Sequence, residues 1–243
     1  MPDANSKAVL QHGKRLRTAC DKLTFAAPVT HVYNPMGYAW AMHKVFIERF
    51  GGGTKRVLML GMNPGPWGMA QTGLPFGEIA AVRDYIGIEA PVKKPKIEHP
   101  KRPIEGLTCQ RSEVSGRRLW GLMAERYPEP ADFFAEHMVV NYCPLVFMSE
   151  TGKNITPDKL PAAEREPLEK ACDAHLRGLV EVWQPQWIVG VGAFAEKCGK
   201  RALDGLDLNF GRILHPSPAS PIANRGWAPQ AEKQMVEMGL WDE

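Results

Sequence analysis

Three polar side chains, Asn63, Asn141 and His215, stand just beyond the apolar runs Val57 to Leu60, Met138 to Val140 and Arg212 to Leu214. Such runs read as strands, and ligands of a largely parallel sheet bind beyond the carboxyl ends of its strands. The spacing therefore brings two amides and an imidazole to one sheet edge. An amide offers one acceptor and two donors and cannot take a proton as a general base. An imidazole can donate a hydrogen bond or exchange a proton near neutrality. Taken singly, each has a plainer reading, a turn-forming Asn or a structural His. Their convergence makes a site.

The segment Gly61 to Gly77 supplies the wall of that site. Its seventeen residues include five glycines and three prolines but no acid, base, His or Cys. Glycine opens backbone shapes closed to other residues and proline stiffens them. The segment therefore reads as fixed backbone around something small, carrying Met62, Asn63, Met69, Gln71 and Phe76. A second loop, from His215 to Trp227, holds Pro216, Pro218 and Pro221. It reads as a stiff ridge tipped with small and apolar groups, either a rigid surface turn or a wedge able to enter a base stack.

The elements that must position these loops follow from periodicity. Apolar runs at 57–60, 138–140, 187–191 and 212–214 read as strands. Helical spacing is found from about Val9 to Leu23, near Tyr38 to Phe50, and at 115–126, 162–183, 193–202 and 229–239. Alternating strands and helices predict one α/β domain over residues 1–243, a short, mainly parallel central sheet flanked by helices on both faces. The 243 residues, 44% hydrophobic and 23% charged, are ordinary for a globular protein and exclude disorder. A net charge of +3 allows a nucleic-acid partner without requiring one.

Five cysteines, at 20, 109, 143, 172 and 198, include no CxxC pair, which argues for a reduced, intracellular protein. The same scatter is unlike the ligand set of an iron–sulfur cluster. No apolar run approaches the ~20 residues of a bilayer span. The stretch from Pro91 to Pro103, with Lys93, Lys94, Lys96, Lys101 and Arg102, reads as a solvated basic loop, with non-specific phosphate contact as the alternative. Gly190-Val191-Gly192-Ala193-Phe194-Ala195 fits a dinucleotide-binding fingerprint. It lies late in the chain and lacks the acidic second strand, so a tight strand-to-helix turn is the preferred reading.

Gly61 to Gly77, Ser112 to Arg117, Asn141 to Leu145, His215 to Pro218 and Asn224 to Trp227 occur in an order that resembles the single-strand-selective monofunctional uracil-DNA glycosylases of the uracil-DNA glycosylase superfamily, over residues 33–227 or so. The resemblance implies a DNA-repair hydrolase that flips uracil out of single- or double-stranded DNA and leaves an abasic site. Oxidised uracils and xanthine are further candidate substrates. It implies that Asn63 positions the attacking water and His215 bonds the departing base. Phe76 would stack on the flipped pyrimidine, Asn141 would bond its Watson–Crick edge, and Met62, Gly65 and Met69 would line the pocket. Ser217, Pro218, Ala219, Ser220, Pro221, Ile222, Asn224 and Arg225 would belong to the wedge that enters the duplex.

Three positions depart from the family pattern in two places. Ala219-Ser220 replaces a basic residue followed by Asn, and Trp67 stands where others carry Phe. No metal or cofactor is implied, DNA is the expected partner, and the protein is expected to act as a monomer in the cytoplasm, nucleoid or nucleus. A non-catalytic binder of damaged DNA is the competing reading: it would keep the wedge but not need Asn63 and His215 together. Glu78, just beyond Phe76, is the first candidate for an acid outside this scheme.

Overall fold

Apolar runs without alternation demand a sheet covered on both faces, and the computed structural model, which describes residues 2–242, contains one. In chain order the elements are α1 (Ala4–Cys20), β1 (His31–Tyr33), α2 (Pro35–Tyr38), α3 (Trp40–Phe50), β2 (Val57–Gly61), α4 (Met69–Thr72), a π-helical turn (Ala81–Ile86), α5 (Val114–Arg126), α6 (Pro130–Glu136), β3 (His137–Asn141), β4 (Val146–Met148), β5 (Asn154–Ile155), α7 (Ala162–Trp183), β6 (Trp187–Val191), α8 (Ala193–Ala202), β7 (Asn209–Ile213), α9 (Pro221–Asn224) and α10 (Trp227–Glu237). Strands β3, β2, β6 and β7 form, in that order, a four-stranded parallel sheet. Every residue of β2 and β3 is buried, so helices and loops cover both faces of its centre. Helix α8 packs on β6 and β7, and α10 on β7.

The register decides where the chemistry sits. Gly61 pairs with Asn141, and Val191 with Ile213, so the four strands end nearly level. The loops bearing Asn63, Asn141, Gly192 and His215 therefore leave from one edge, as the strand-end argument requires.

The structure adds a second sheet, antiparallel, in the order β1-β4-β5, with Tyr33 opposite Val146 and Phe147 opposite Ile155. Strands of two or three residues carry too little pattern to be seen in sequence. The expected helix from Tyr38 to Phe50 is divided at Ala39 into α2 and α3. Strand β7 begins at Asn209, earlier than the apolar run at 212, because its first residues are partly exposed. The expected helix at 229–239 starts at Trp227.

Candidate functional site

Gly61 closes strand β2 at the point where two side chains meet. A Cβ there would lie 2.2 Å from Asn141 Oδ1 and 2.6 Å from Phe76 Cε2, so only glycine lets the amide and the phenyl ring converge. Phe76 itself has φ 52°, a left-handed conformation uncommon outside glycine. Its carbonyl is held by the Trp120 indole N–H at 3.1 Å and the Glu78 N–H at 2.7 Å. A Cβ on Gly116 of α5 would come within 2.1 Å of that carbonyl. Helix α5 thus clamps the strained residue, and strain of this kind collects at functional sites.

The wall is tied to the next strand end by backbone bonds: the Tyr142 N–H donates to the Gly61 carbonyl and the Cys143 N–H to that of Met62, both at 2.9 Å. Asn63 Nδ2 donates to the Leu145 carbonyl at 3.2 Å and to its neighbour Pro64 at 3.4 Å. That orientation leaves Asn63 Oδ1 as the free end of the amide. Asn141 is held differently. Its Nδ2 donates to Met69 Sδ at 3.2 Å, and its Oδ1 is buried without a partner. A buried acceptor left unmade costs about 1–3 kcal/mol, so this oxygen awaits a donor.

His215 lies opposite, its ring centre 6.2 Å from that of Phe76. Its Nδ1 accepts the Ser217 N–H at 3.1 Å. A nitrogen that accepts carries no proton, so the neutral ring holds its hydrogen on Nε2. Burial pushes the imidazole pKa below its ordinary value and favours that neutral form. Room for the ring comes from Gly192, with φ 92°, where a Cβ would sit 3.0 Å from His215 Cβ. The Gly190 Cβ would likewise meet the Glu196 N–H at 2.5 Å. The dinucleotide-like glycines thus serve a tight turn and the seating of His215.

These groups face one cavity of about 420 Å³. Of the residues singled out in the sequence, Met62, Asn63, Gly65, Phe76, Asn141, His215, Ser217 and Pro218 line it. Met69 stands one layer back, buried behind the Asn141 amide. Ala219 to Arg225 lie outside the cavity, on the ridge beside it. The arrangement fits a flat heterocycle: an aromatic face for stacking, a buried acceptor at one edge and an imidazole N–H donor nearby.

The sequence reading missed a carboxyl group. Glu113 lines the cavity, its Oε1 and Oε2 lying 1.6 and 1.9 Å from where Cβ atoms of Gly65 and Gly68 would be. Burial pushes its pKa up to about 7, with the Glu78 carboxylate adding to the shift. Glu78, the sequence-based suspect, instead accepts the Ala81 N–H at 2.9 Å and starts the π-helical turn. Gly65 and Gly68 make room for Glu113 from a distant part of the chain and give no local sequence signal. Asn154 and Thr156, brought in by β5, complete the far wall and had none.

The ridge is stiffened by more than proline. Ser220 Oγ accepts the Ala223 N–H at 3.3 Å and caps the short helix α9, and Asn224 Nδ2 donates to the Pro218 carbonyl at 2.8 Å. Arg118 of α5 fastens it by donating to the Pro216 carbonyl at 3.0 Å and to Asn224 Oδ1 at 2.9 Å. Pro218, Ala219, Pro221, Ile222, Asn224 and Arg225 remain exposed.

The basic loop is anchored rather than free. Tyr33 Oη donates to the Arg102 carbonyl at 2.8 Å and accepts the His99 N–H at 2.7 Å. Lys94 bonds Glu98 at 3.0 Å and the Ile104 carbonyl. Lys93, Lys96 and Lys101 stay exposed. No helix among the described residues is long and apolar enough to cross a membrane.

Known proteins resemble this chain in sequence and in fold. Residues 49–237 match the family model described as the uracil DNA glycosylase superfamily. The chain is 46% identical over 237 residues to the single-strand selective monofunctional uracil DNA glycosylase of Mus musculus, covering 97% of this chain and 85% of that protein. It is 46% identical over 241 residues to its Bos taurus counterpart, covering 98% and 89%. The crystal structure of wild-type Pedobacter heparinus SMUG2 superposes with a TM-score of 0.65 at 15% identity, over 94% of this chain and 97% of that one, a likeness of fold.

Proposed function

Because the chain belongs to the uracil DNA glycosylase superfamily, we propose that it excises uracil from DNA by hydrolysing the N-glycosidic bond, leaving an abasic site and an intact strand. The observation that carries the assignment of roles is the buried, unpartnered Asn141 Oδ1 in the same cavity as Asn63 and His215. The uracil edge reads carbonyl, N–H, carbonyl. Asn141 Oδ1 accepts the N3–H, and its Nδ2 turns from Met69 Sδ to the O4 carbonyl. Cytosine offers a bare N3 and an amino group there, which would set acceptor against acceptor and leave buried polar groups unpaired.

The nucleotide reaches this cavity only by rotating out of the stack, at a cost of a few kcal/mol. Phe76 then covers the base. As the glycosidic bond lengthens, positive charge grows on the sugar and negative charge on the base. His215 Nε2–H donates to the uracil O2, where that negative charge gathers, a role of oxyanion-hole type worth about 3–4 kcal/mol. Asn63 Oδ1 holds a water on the far side of the sugar. An amide takes no proton from that water, so the cationic sugar supplies the driving force and Asn63 supplies position. The exposed ridge, with Ile222 at its crest, fills the gap left in a duplex.

The reading extends to oxidised uracils and to xanthine, which share the carbonyl, N–H, carbonyl edge, and to both single- and double-stranded DNA. It places the protein inside the cell, acting as one single-domain monomer, in keeping with five free, buried cysteines. The test is a uracil-containing oligonucleotide incubated with the protein in EDTA, abasic sites being revealed by hot alkali. Strand breaks with the wild type and their loss in Asn63→Ala and His215→Ala are expected. Full activity in both variants overturns the assignment.

A further inference from the structure

Beside the base cavity lies a second cleft of about 510 Å³, lined by Trp67, Pro100, Lys101, Arg102, Pro103, Glu105 and Arg111. Trp67 lines both, so one indole borders the two. The guanidinium carbons of Arg102 and Arg111 lie 5.2 and 5.0 Å from the indole ring centre. Among the described residues, Lys101, Arg102 and Arg111 form no ion pair, although Glu105 shares the cleft. Arg102 Nη1 donates to the Lys101 carbonyl at 2.8 Å, while its Nε is buried without a partner. Arg111 is exposed, and its guanidinium rests on Trp67 without a hydrogen bond.

An aromatic face next to uncompensated arginines is the combination that holds unpaired nucleotides, by stacking and by phosphate contact. We infer that this cleft binds the nucleotide adjoining the extruded one in an unpaired DNA strand. Arg111 leaves the indole for a phosphate, the neighbouring base takes its place on the Trp67 ring, and Arg102 holds the strand from the other side. A nucleotide in a duplex cannot offer its face in this way, because one face is stacked on the next pair and the other meets the ridge that fills the gap. The inference rests on the glycosylase reading above and adds to it a built preference for single strands. It also gives the last part of the basic loop, Lys101 and Arg102, a role that its first part, with Lys94 bonded internally, does not share.

The test measures affinity by fluorescence anisotropy with a labelled single strand carrying one uracil nucleotide fluorinated at C2′, whose electron-withdrawing fluorine slows glycosidic cleavage, and with the same strand in a duplex. Trp67→Ala is expected to raise Kd for the single strand about 5- to 160-fold, the range of one lost base stack, and to raise the duplex value by a clearly smaller factor, since Trp67 also borders the base cavity. Trp67→Phe is expected to keep most of the affinity. Independently of any effect of the tryptophan change on folding, Arg102→Gln with Arg111→Gln should lower the slope of log affinity against log salt by about 1.4 for single strands, roughly 0.7 per phosphate contact. An unchanged single-strand Kd in Trp67→Ala, or equal losses on single strand and duplex, overturns the inference, as does an unaltered salt slope. Uracil release by the wild type, followed in parallel, keeps the two questions apart. If the wild type releases no uracil, the glycosylase reading fails; if it does and Trp67→Ala binds normally, only the cleft is misassigned.

Discussion

The wall of the cavity and the ridge beside it are both rich in glycine, proline and small residues, yet they are built in opposite ways. From Gly68 to Ile79 every residue is buried, whereas from Ser217 to Gly226 only Ala223 is. The wall is held on both sides: Gly61 admits Asn141 and Phe76, Gly116 admits the Phe76 carbonyl, and Asn63 is fixed by Leu145. The ridge rests on α5 through Arg118 and on its own Ser220 and Asn224 caps, and its most apolar residue, Ile222, is 55% exposed. Groups that must meet a developing charge are set in place before the substrate arrives, which spares reorganisation during the reaction. A group that need only fill space can stand in water and act when the duplex closes on it. Substitutions in the wall should therefore change the chemical step on every substrate, and substitutions in the ridge should matter only where there is a stack to enter.

The strongest way to break that comparison is to remove the two polar groups. Asn63→Ala and His215→Ala are each expected to slow single-turnover uracil release by about 10²–10³-fold, equally on single strands and duplexes. Loss confined to duplexes would mean that these residues assist extrusion instead. Gly61→Ala comes next. Its methyl group would overlap Asn141 Oδ1 and Phe76, so a loss of at least about tenfold in kcat/KM is expected, with thermal melting showing whether the fold survives.

The pH dependence separates two groups of the same cavity. His215 Nδ1 is an acceptor and its pKa lies below the ordinary value, so in the proposed reaction it acts as a neutral donor. The contribution of His215 should hold above about pH 6.5 and be lost only as the pH drops below it. Glu113 has the opposite sign: its carboxyl stays protonated up to about pH 7. Above that pH an ionised carboxylate in the cavity opposes the negative charge forming on the base. Activity should thus decline through pH 7, and Glu113→Gln should remove that alkaline limb while leaving the acid one. A raised carboxyl pKa also means that stability is lost as the pH rises from the unfolded value, about 4.3, through the folded one. Glu113→Gln should therefore melt higher than the wild type at pH 8.5 and nearly alike at pH 4. An alkaline limb that persists in the variant would detach Glu113 from the reaction.

The parallel sheet was legible because its central strands are buried on both faces and so read as unbroken apolar runs, and helices α7 and α8 because their faces repeat over ten residues or more. Asn63, Asn141 and His215 could be placed for the same reason: they follow the strands that were easiest to see. The antiparallel strands β1, β4 and β5 were not legible, since two or three residues contain no period, and with them went Asn154 and Thr156. Helix α9 was hidden by the prolines that also suggested a ridge. Glu113 illustrates the deeper limit. Its burial is created by Gly65 and Gly68, distant in sequence, and no local pattern carries that pairing. The basic loop was legible in its exposure, since Lys93, Lys96 and Lys101 stand in solvent, but not in its anchor, His99, which is buried against the carbonyls of Ser149 and Glu150 at 3.1 Å each.

The smallest expected effect probes the ridge itself. Ile222 makes no contact with the cavity, so Ile222→Ser should leave uracil release from single strands within twofold of the wild type. On a duplex the side chain must replace the stacking of the base that left. Losing most of an isoleucine's apolar surface from such a gap is worth roughly 1–2 kcal/mol, which corresponds to a 5- to 30-fold slower release at limiting enzyme. Ala219 and Ser220 add no positive charge at this crest, so the duplex effect should vary little with salt. If single strands were slowed as much as duplexes, the ridge would be gripping the strand rather than filling a vacancy. The contrast between a prebuilt wall and an exposed wedge would then give way to one continuous binding surface.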